Sequence, residues 1–507
     1  MGILFSLSLT HFSHAQDGFS KLYTYDSDGL EFIPHIIPKV IYDSTTNALY
    51  FPLWANLKLK DEPSVIRYSV LSRTDTNGII IKQVIDTIGG HHIAHQNVIV
   101  SADKQYLYWT SNTYLLNIDY DSMTMDYFIT KTDMDLNIIW KKSVFTPNVY
   151  YCRTIGITED DNGDLTIAGY EYTDTFSVLP ELKPRIRLLK VDSAGSFIWT
   201  KILGDSLFNN TPISNTPYHL IQNENKDYLV VGSTTGYGAS NTSSIIFKAD
   251  ENGNELWHQI YMQNYYYDQI ADFVRVKSPD ESYINIGYSK QHFNSSEYSN
   301  FISRIDKNGN ELWRQLLNSK APGFQAITTI PESSDVLFTD KFSSTSILGS
   351  PSNPTSEAQI TRMDTLGNKI WSRKFLHVPN ENKPSVIYDV ITLPSGSIIA
   401  VGTAFSEGGT VNFNKGWMLK VNKNGCLFDD CRDVVGLETV TAEKNSIIVY
   451  PNPTSGKISI FQKTPFANGT QINVYDISDL NPNSYILQIK NGNMKIQKKL
   501  NLIHSSF

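Results

Sequence analysis

The chain has 507 residues, of which 40% are apolar, 12% aromatic and 19% charged, a composition that folds around a core and excludes disorder over most of its length. Its net charge of −8 is uneven: residues 447–507 carry six Lys against two Asp, a surplus of +4 that leaves −12 for the remainder. An acidic body has no broad positive field for phosphate backbones, so nucleic acid is not an expected partner. No run of 18 uninterrupted apolar residues predicts a membrane-spanning helix.

Residues 1–15 read as a secretory signal peptide. An apolar run from Ile3 to Leu9 leads into Ser13-His14-Ala15, with small residues placed for a cut after Ala15. Behind it, Phe19-Ser20-Lys21-Leu22-Tyr23 has the pattern of Trp199-Thr200-Lys201 and Trp371-Ser372-Arg373 farther on. That likeness sets the expectation that a strand at about 19–25 starts in mid-unit.

One signature recurs along the chain: Asp, Gly three positions later, Trp seven positions after the Asp. Clean copies are Asp192/Gly195/Trp199, Asp250/Gly253/Trp257, Asp306/Gly309/Trp313 and Asp364/Gly367/Trp371. Asp133/Leu136/Trp140 lacks the Gly, Asp75/Gly78 has Lys82 in the Trp slot, and Asn422/Gly425 breaks off into Cys426-Leu-Phe-Asp-Asp-Cys431. The leading residues are 58, 59, 58, 56, 58 and 58 apart, which defines seven units. The turn chemistry is that of a tight hairpin, in which Asp caps backbone amides and Gly takes positive φ. The Trp is expected to pack between neighbouring units.

Each unit alternates short apolar strands with turn residues. In the third, the strands are expected at 153–158, 165–170, 185–191 and 197–203, with the turn at 160–163, and Gly169, Gly232, Gly287 and Gly402 are expected to end the second strands of their units. Four strands per unit and no helical period predict an all-β chain whose residues 17–431 form a seven-bladed β-propeller. The seventh unit lacks its outermost strand, and the strand near the N terminus is predicted to supply it, which ties down both ends and removes two open edges.

After a polar linker at 432–446 comes Ile447-Ile-Val-Tyr450-Pro451-Asn452-Pro453-Thr-Ser-Gly456. This resembles the start of the C-terminal sorting domain (type A-like) of the type IX secretion system, a small β-sandwich of Gram-negative bacteria. Gln471 to Asp476 is similar to that family's next strand, and Tyr485 follows a turn in which Asn483 replaces the family's Gly. About twenty residues that the family has between Asp476 and Ile477 are absent. The resemblance covers 447–507 and implies a cargo that meets the type IX machinery and ends up secreted or at the outer-membrane surface.

For chemistry the chain offers little. His91-His92-x-x-His95 is the sole His cluster, but a straight strand turns 92 away from 91 and 95. Glu159 to Asp164 is rich in oxygens without the EF-hand spacing, and reads as a solvated turn. Cys426 and Cys431 are spaced to close a small disulfide loop in an oxidising compartment, with three free thiols as the alternative. No nucleophile elbow, zinc helix or phosphate loop occurs, so no catalytic residue, cofactor or metal is expected. The long connections 172–184, 236–243, 291–299 and 343–357 are polar and should carry any specificity. Two functions remain: a non-catalytic extracellular module binding a glycan or protein, and a secreted polysaccharide hydrolase or lyase with a channel-mouth site.

Overall fold

A computed structural model describes residues 18–23, 31–58, 65–86, 92–114, 127–144, 151–172, 183–205, 207–209, 211–235, 242–261, 267–276, 281–290, 298–317, 326–331, 333–343, 356–375, 385–406 and 413–427, together with 447–450, 459–462, 471–476, 484–491 and 494–501. The signal segment 1–15, the linker 432–446, Pro451, Asn452, Pro453, Gly456 and Cys431 lie outside the described residues.

The fourth unit shows how sequence becomes a blade. Its strands are Ser214–Gln222, Tyr228–Thr235, Ser243–Ala249 and Glu255–Tyr261, paired in that order and antiparallel. The middle two are near-continuous apolar runs, Leu229-Val230-Val231 and Ile245-Ile246-Phe247, because both of their faces are covered by neighbouring blades. The fourth is mixed and largely exposed. Seven such sheets follow one another, with first strands at Glu31–Ile36 and Ile41–Asp43 (a broken strand in blade 1), His92–Val100, Tyr151–Glu159, Ser214–Gln222, Tyr267–Val276, Ile327–Thr329 and Ser385–Thr392. The fold is an all-β seven-bladed propeller. First strands of successive blades pack against each other around the axis, and the apolar core is divided among the gaps between blades, as in the cluster that joins Ile186 and Leu188 of blade 3 to Val230 and Phe247 of blade 4.

Most first strands carry a β-bulge near the middle, as between Pro217 and His219, Ile270 and Asp272, and Ile387 and Asp389. Gly232, Gly287 and Gly402 face these bulges, and a Cβ on Gly402 would lie 1.9 Å from the Val386 carbonyl oxygen. These glycines, with Gly169, do not end the second strands as expected. The strands run on to Tyr172, Thr235, Lys290 and Ser406, because the glycine is needed for the bulge opposite it and not for a turn.

The turn signature builds a latch between blades. Gly195, Gly253, Gly309, Gly367 and Gly425 all have positive φ, and each lies against the indole of the preceding blade: Trp140, Trp199, Trp257, Trp313 and Trp371 in turn. A Cβ on Gly253 would come 2.6 Å from Trp199. Where blade 1 has Lys82 in place of Trp, the next turn has Leu136 in place of Gly. Leu136 accepts a φ of 62°, is fully buried, and joins the cluster that includes Val84 of blade 1. The two departures from the repeat therefore form one interface, with a leucine filling the space that an indole would take.

Phe19–Tyr23 pairs antiparallel with Phe413–Val421, as the fourth strand of blade 7. Phe19 and Tyr23 supply that blade's latch onto Gly78 of blade 1, the Tyr23 hydroxyl donates to the Gly78 carbonyl at 2.7 Å, and the Trp417 indole donates to Ser20 Oγ at 2.9 Å. The chain divides into two compact units, 16–429 and the remainder. In the second, Ile447–Tyr450 pairs with Ser459–Gln462, and Gln471–Asp476, Ser484–Asn491 and Met494–Asn501 form an antiparallel meander.

Two expectations follow. Gly253→Ala should lower unfolding stability by roughly 2–5 kcal/mol, the cost of a left-handed alanine plus overpacking against Trp199, measured by urea denaturation. Lys82→Trp and Leu136→Gly should each destabilise alone and largely repair each other together, with a coupling of about 1–3 kcal/mol; additive losses would show that the two positions do not share an interface.

Candidate functional site

The residues of the repeat signature are occupied with structure. Asp75, Asp133, Asp192, Asp250, Asp306 and Asp364 each accept two turn amides on Oδ1, at 2.7–3.0 Å, and Asn422 does the same with its side-chain oxygen. The amides of Ser196 and Ala194 hold the Asp192 carboxyl below the usual range. At Asp133, Asp250, Asp306 and Asp364 partial burial works upward, and hydrogen bonds from the turn amides and from the Asn four residues on outweigh it, so these carboxyls also lie low.

The other nominated groups are likewise engaged or outside the described residues. Within the Glu159–Asp164 turn, Asp160 Oδ2 and Asp164 Oδ2 lie 2.7 and 3.6 Å from Lys190 Nζ, so a lysine neutralises the oxygens that a cation would need. His92 and His95 belong to the first strand of blade 2, their side chains and all of His91 being outside the description. Cys426 is disulfide-bonded. Tyr450 ends one strand of the C-terminal unit and Tyr485 lies in another. Among the described residues no three His, Cys, Asp or Glu side chains converge on a metal-sized site.

Ionisable groups that sequence reasoning missed meet midway down the first strands. Asp389, just past the blade 7 bulge, takes Lys39 Nζ at 3.2 Å and the Val40 amide at 2.9 Å, both from blade 1. Asp272, just past the blade 5 bulge, accepts the Ile327 amide of blade 6 at 2.9 Å on Oδ2 and pairs through Oδ1 with His219 Nδ1 of blade 4. Burial works to lower the Lys39 ammonium, and the charges of Asp389 and Asp272 outweigh it, so lysine stays cationic beyond its ordinary range. Both carboxylates use both oxygens to tie blades together.

A different chemistry lines the loop face, the end of the ring at which first and third strands begin. Tyr267 opens the first strand of blade 5 and stacks on Tyr288 with centroids 5.7 Å apart and planes 16° from parallel; Tyr298 meets Tyr288 edge-on at 6.0 Å. Gln269 Oε1 accepts both the Tyr267 and Tyr288 hydroxyls, the latter at 3.0 Å, and Lys290 Nζ lies 5.3 Å from the centre of the Tyr298 ring. In blade 4, Tyr218 at the bulge shares a hydrogen bond of 3.0 Å with Ser233. Burial pushes its phenol up to about 12, helped by nearby Tyr267 and Tyr170 and opposed by the Ser233 hydrogen bond and the Arg153 charge. Arg153 in blade 3 donates Nε to Gln96 Oε1 of blade 2 at 3.1 Å. Phenols, amides and a guanidinium thus form an arc across blades 2 to 5, each aromatic half-buried. The 291–299 connection, nominated for specificity, contributes Tyr298 to it. The rest carried no signal in the sequence: Tyr218 shares its bulge slot with Ala271 and Tyr388, an equivalence that only the strand pairing reveals.

No family model matches the chain and no curated protein does. Among solved structures it is similar to an α-L-arabinofuranosidase of Fusarium graminearum in complex with an iminosugar inhibitor, at 11% identity over 64% of this chain and 92% of that one, TM-score 0.40. It is also similar to polysaccharide lyase Uly1, at 9% identity over 76% and 90%, TM-score 0.43, and to Kuenenia stuttgartiensis hydrazine synthase, at 11% over 61% and 75%, TM-score 0.38. Likenesses this distant, to proteins of such unlike chemistry, carry no argument about function.

The depressed hairpin carboxyls set a pH dependence. Their stabilisation is complete above the unfolded carboxyl value of about 3.9 and is lost as pH falls through the lower folded values. The urea midpoint should be flat from neutral pH to about pH 5 and fall steadily below about pH 4. Asp306→Asn, which copies the Asn422 turn, should cost under about 1 kcal/mol at neutral pH and make the acid decline shallower; an unchanged acid decline would refute the assignment.

Proposed function

We propose that this chain is an exported cargo of the type IX secretion system whose propeller, outside the cell or on its surface, binds a saccharide at the loop face without transforming it. One observation carries the binding half: side chains suited to holding a polar ligand, stacked phenols, amide groups and a guanidinium, are gathered on one end of a rigid ring, while the carboxylates within reach are committed to structure. Aromatic rings stack on the C–H faces of sugars, and amides and phenols match hydroxyl groups. The export half rests on the segment at 1–15 and on the Tyr450-Pro451-Asn452-Pro453 motif.

The convergence of Asp272, Asp389, Lys39 and His219 favours the second reading, a polysaccharide hydrolase or lyase. General acid–base chemistry needs a carboxyl or imidazole free to move a proton to substrate. Here each Asp would first have to release a backbone amide and a cationic or imidazole partner, which weighs against that reading.

The test is to incubate the secreted protein with an array of polysaccharides and peptides, scoring retention and, by mass, any released product. Retention of saccharide without product is expected. Product that disappears in Asp272→Asn would replace the binding reading with the enzymatic one, and retention of peptides alone would replace it with a protein-binding one. In a strain that has type IX secretion, removing residues 447–507 should leave the ring in the periplasm; unimpeded release would overturn the export half.

A further inference from the structure

The charges around the loop-face arc are not balanced. Among the described residues, each carboxylate at this end has its own cation or donor: Glu171 pairs with Arg187, and Asp268 with Arg314 at 2.6 Å and with the Ser244 hydroxyl. Among the described residues the cations of the arc meet no carboxylate: Lys290 lies against the Tyr298 ring, and Arg153 uses Nε on the neutral Gln96 amide oxygen. A guanidinium held by Nε still presents its two terminal nitrogens as a fork, the geometry that meets a carboxylate or sulfate through two parallel hydrogen bonds.

From these we infer that the loop-face arc takes an anionic saccharide, one that bears carboxylate or sulfate groups, with Lys290 and Arg153 facing its charges and Tyr288 and Tyr298 its rings. This rests on the saccharide-binding reading. Two cations separated by aromatics suit a polymer with sparse charge and apolar ring faces; a nucleic acid, charged at every residue, needs a continuous row of basic groups. The acidic body does not forbid the fit. Its charges act across the Debye length, about 8 Å at physiological salt, and are largely screened, whereas a charge-assisted contact at the arc is not.

The experiment uses the full secreted chain and calorimetry with three matched probes: a uronate oligosaccharide, its carboxyl-reduced neutral counterpart, and a sulfated oligosaccharide of similar length. The uronate or the sulfated probe should bind at least about tenfold more tightly than the neutral one, the order expected of one charge-assisted hydrogen bond; whichever wins identifies the anion. Lys290→Gln should bring the charged probe most of the way to the neutral level while leaving neutral binding unchanged, Arg153→Gln should weaken the charged probe more than the neutral one, and Tyr298→Ala should weaken all probes. Equal affinity for charged and neutral probes would overturn the anionic assignment and leave saccharide binding standing. Binding of none would overturn both.

Discussion

The indole of one blade rests on the turn glycine of the next, and every other feature of the ring is arranged around that contact. It needs a residue without a Cβ at positive φ, because a side chain there would collide with the ring below it. It needs the Asp cap that holds the turn in shape so that the glycine presents its open face. Repeated at nearly every gap, it sets the spacing of the blades, and the apolar strands between them then have two covered faces and no edge to water.

The exceptions obey the same constraint. Leu136 and Lys82 look like two independent lapses along the chain, yet they face each other, and the leucine fills the volume of the missing indole at the cost of a strained backbone. At the closure, Phe19 and Tyr23 do for blade 7 what the tryptophans do elsewhere, with a hydroxyl-to-carbonyl bond added across the gap. A ring built from one kind of joint closes only if its last joint is supplied from the other end of the chain.

With the outer joints fixed by the latch, the first strands are left to do something else. Their bulges turn side chains that a regular strand would have alternated, and the ring uses some of them, Asp272 and Asp389, as clasps to the next blade's backbone. Others, such as Tyr218, are left for the loop face. The residue after the bulge thus serves cohesion in all three blades, an Asp that clasps the next blade in blades 5 and 7 and a His that pairs with Asp272 in blade 4.

The blade count, the strand limits of the third unit from Arg185 to Leu203, the caps and the supply of the closing strand were legible because each depends on local turn chemistry or on a period of about 58 residues. The second-strand glycines were misread as strand ends, since a glycine facing a bulge and a glycine at a turn look alike until the partner strand is known. The loop-face arc was legible only at Tyr298. Tyr218, Tyr267, Tyr288, Lys290 and Arg153 are dispersed over three blades, and the sequence holds no sign that they adjoin. What the chain determined by itself is the repeated turn that supplies both halves of each joint, since its Asp, Gly and Trp lie within eight residues of one another; what only the tertiary structure decided is which side chains from different blades meet at the ring's end, since closing the ring, and not any local rule, brings them together.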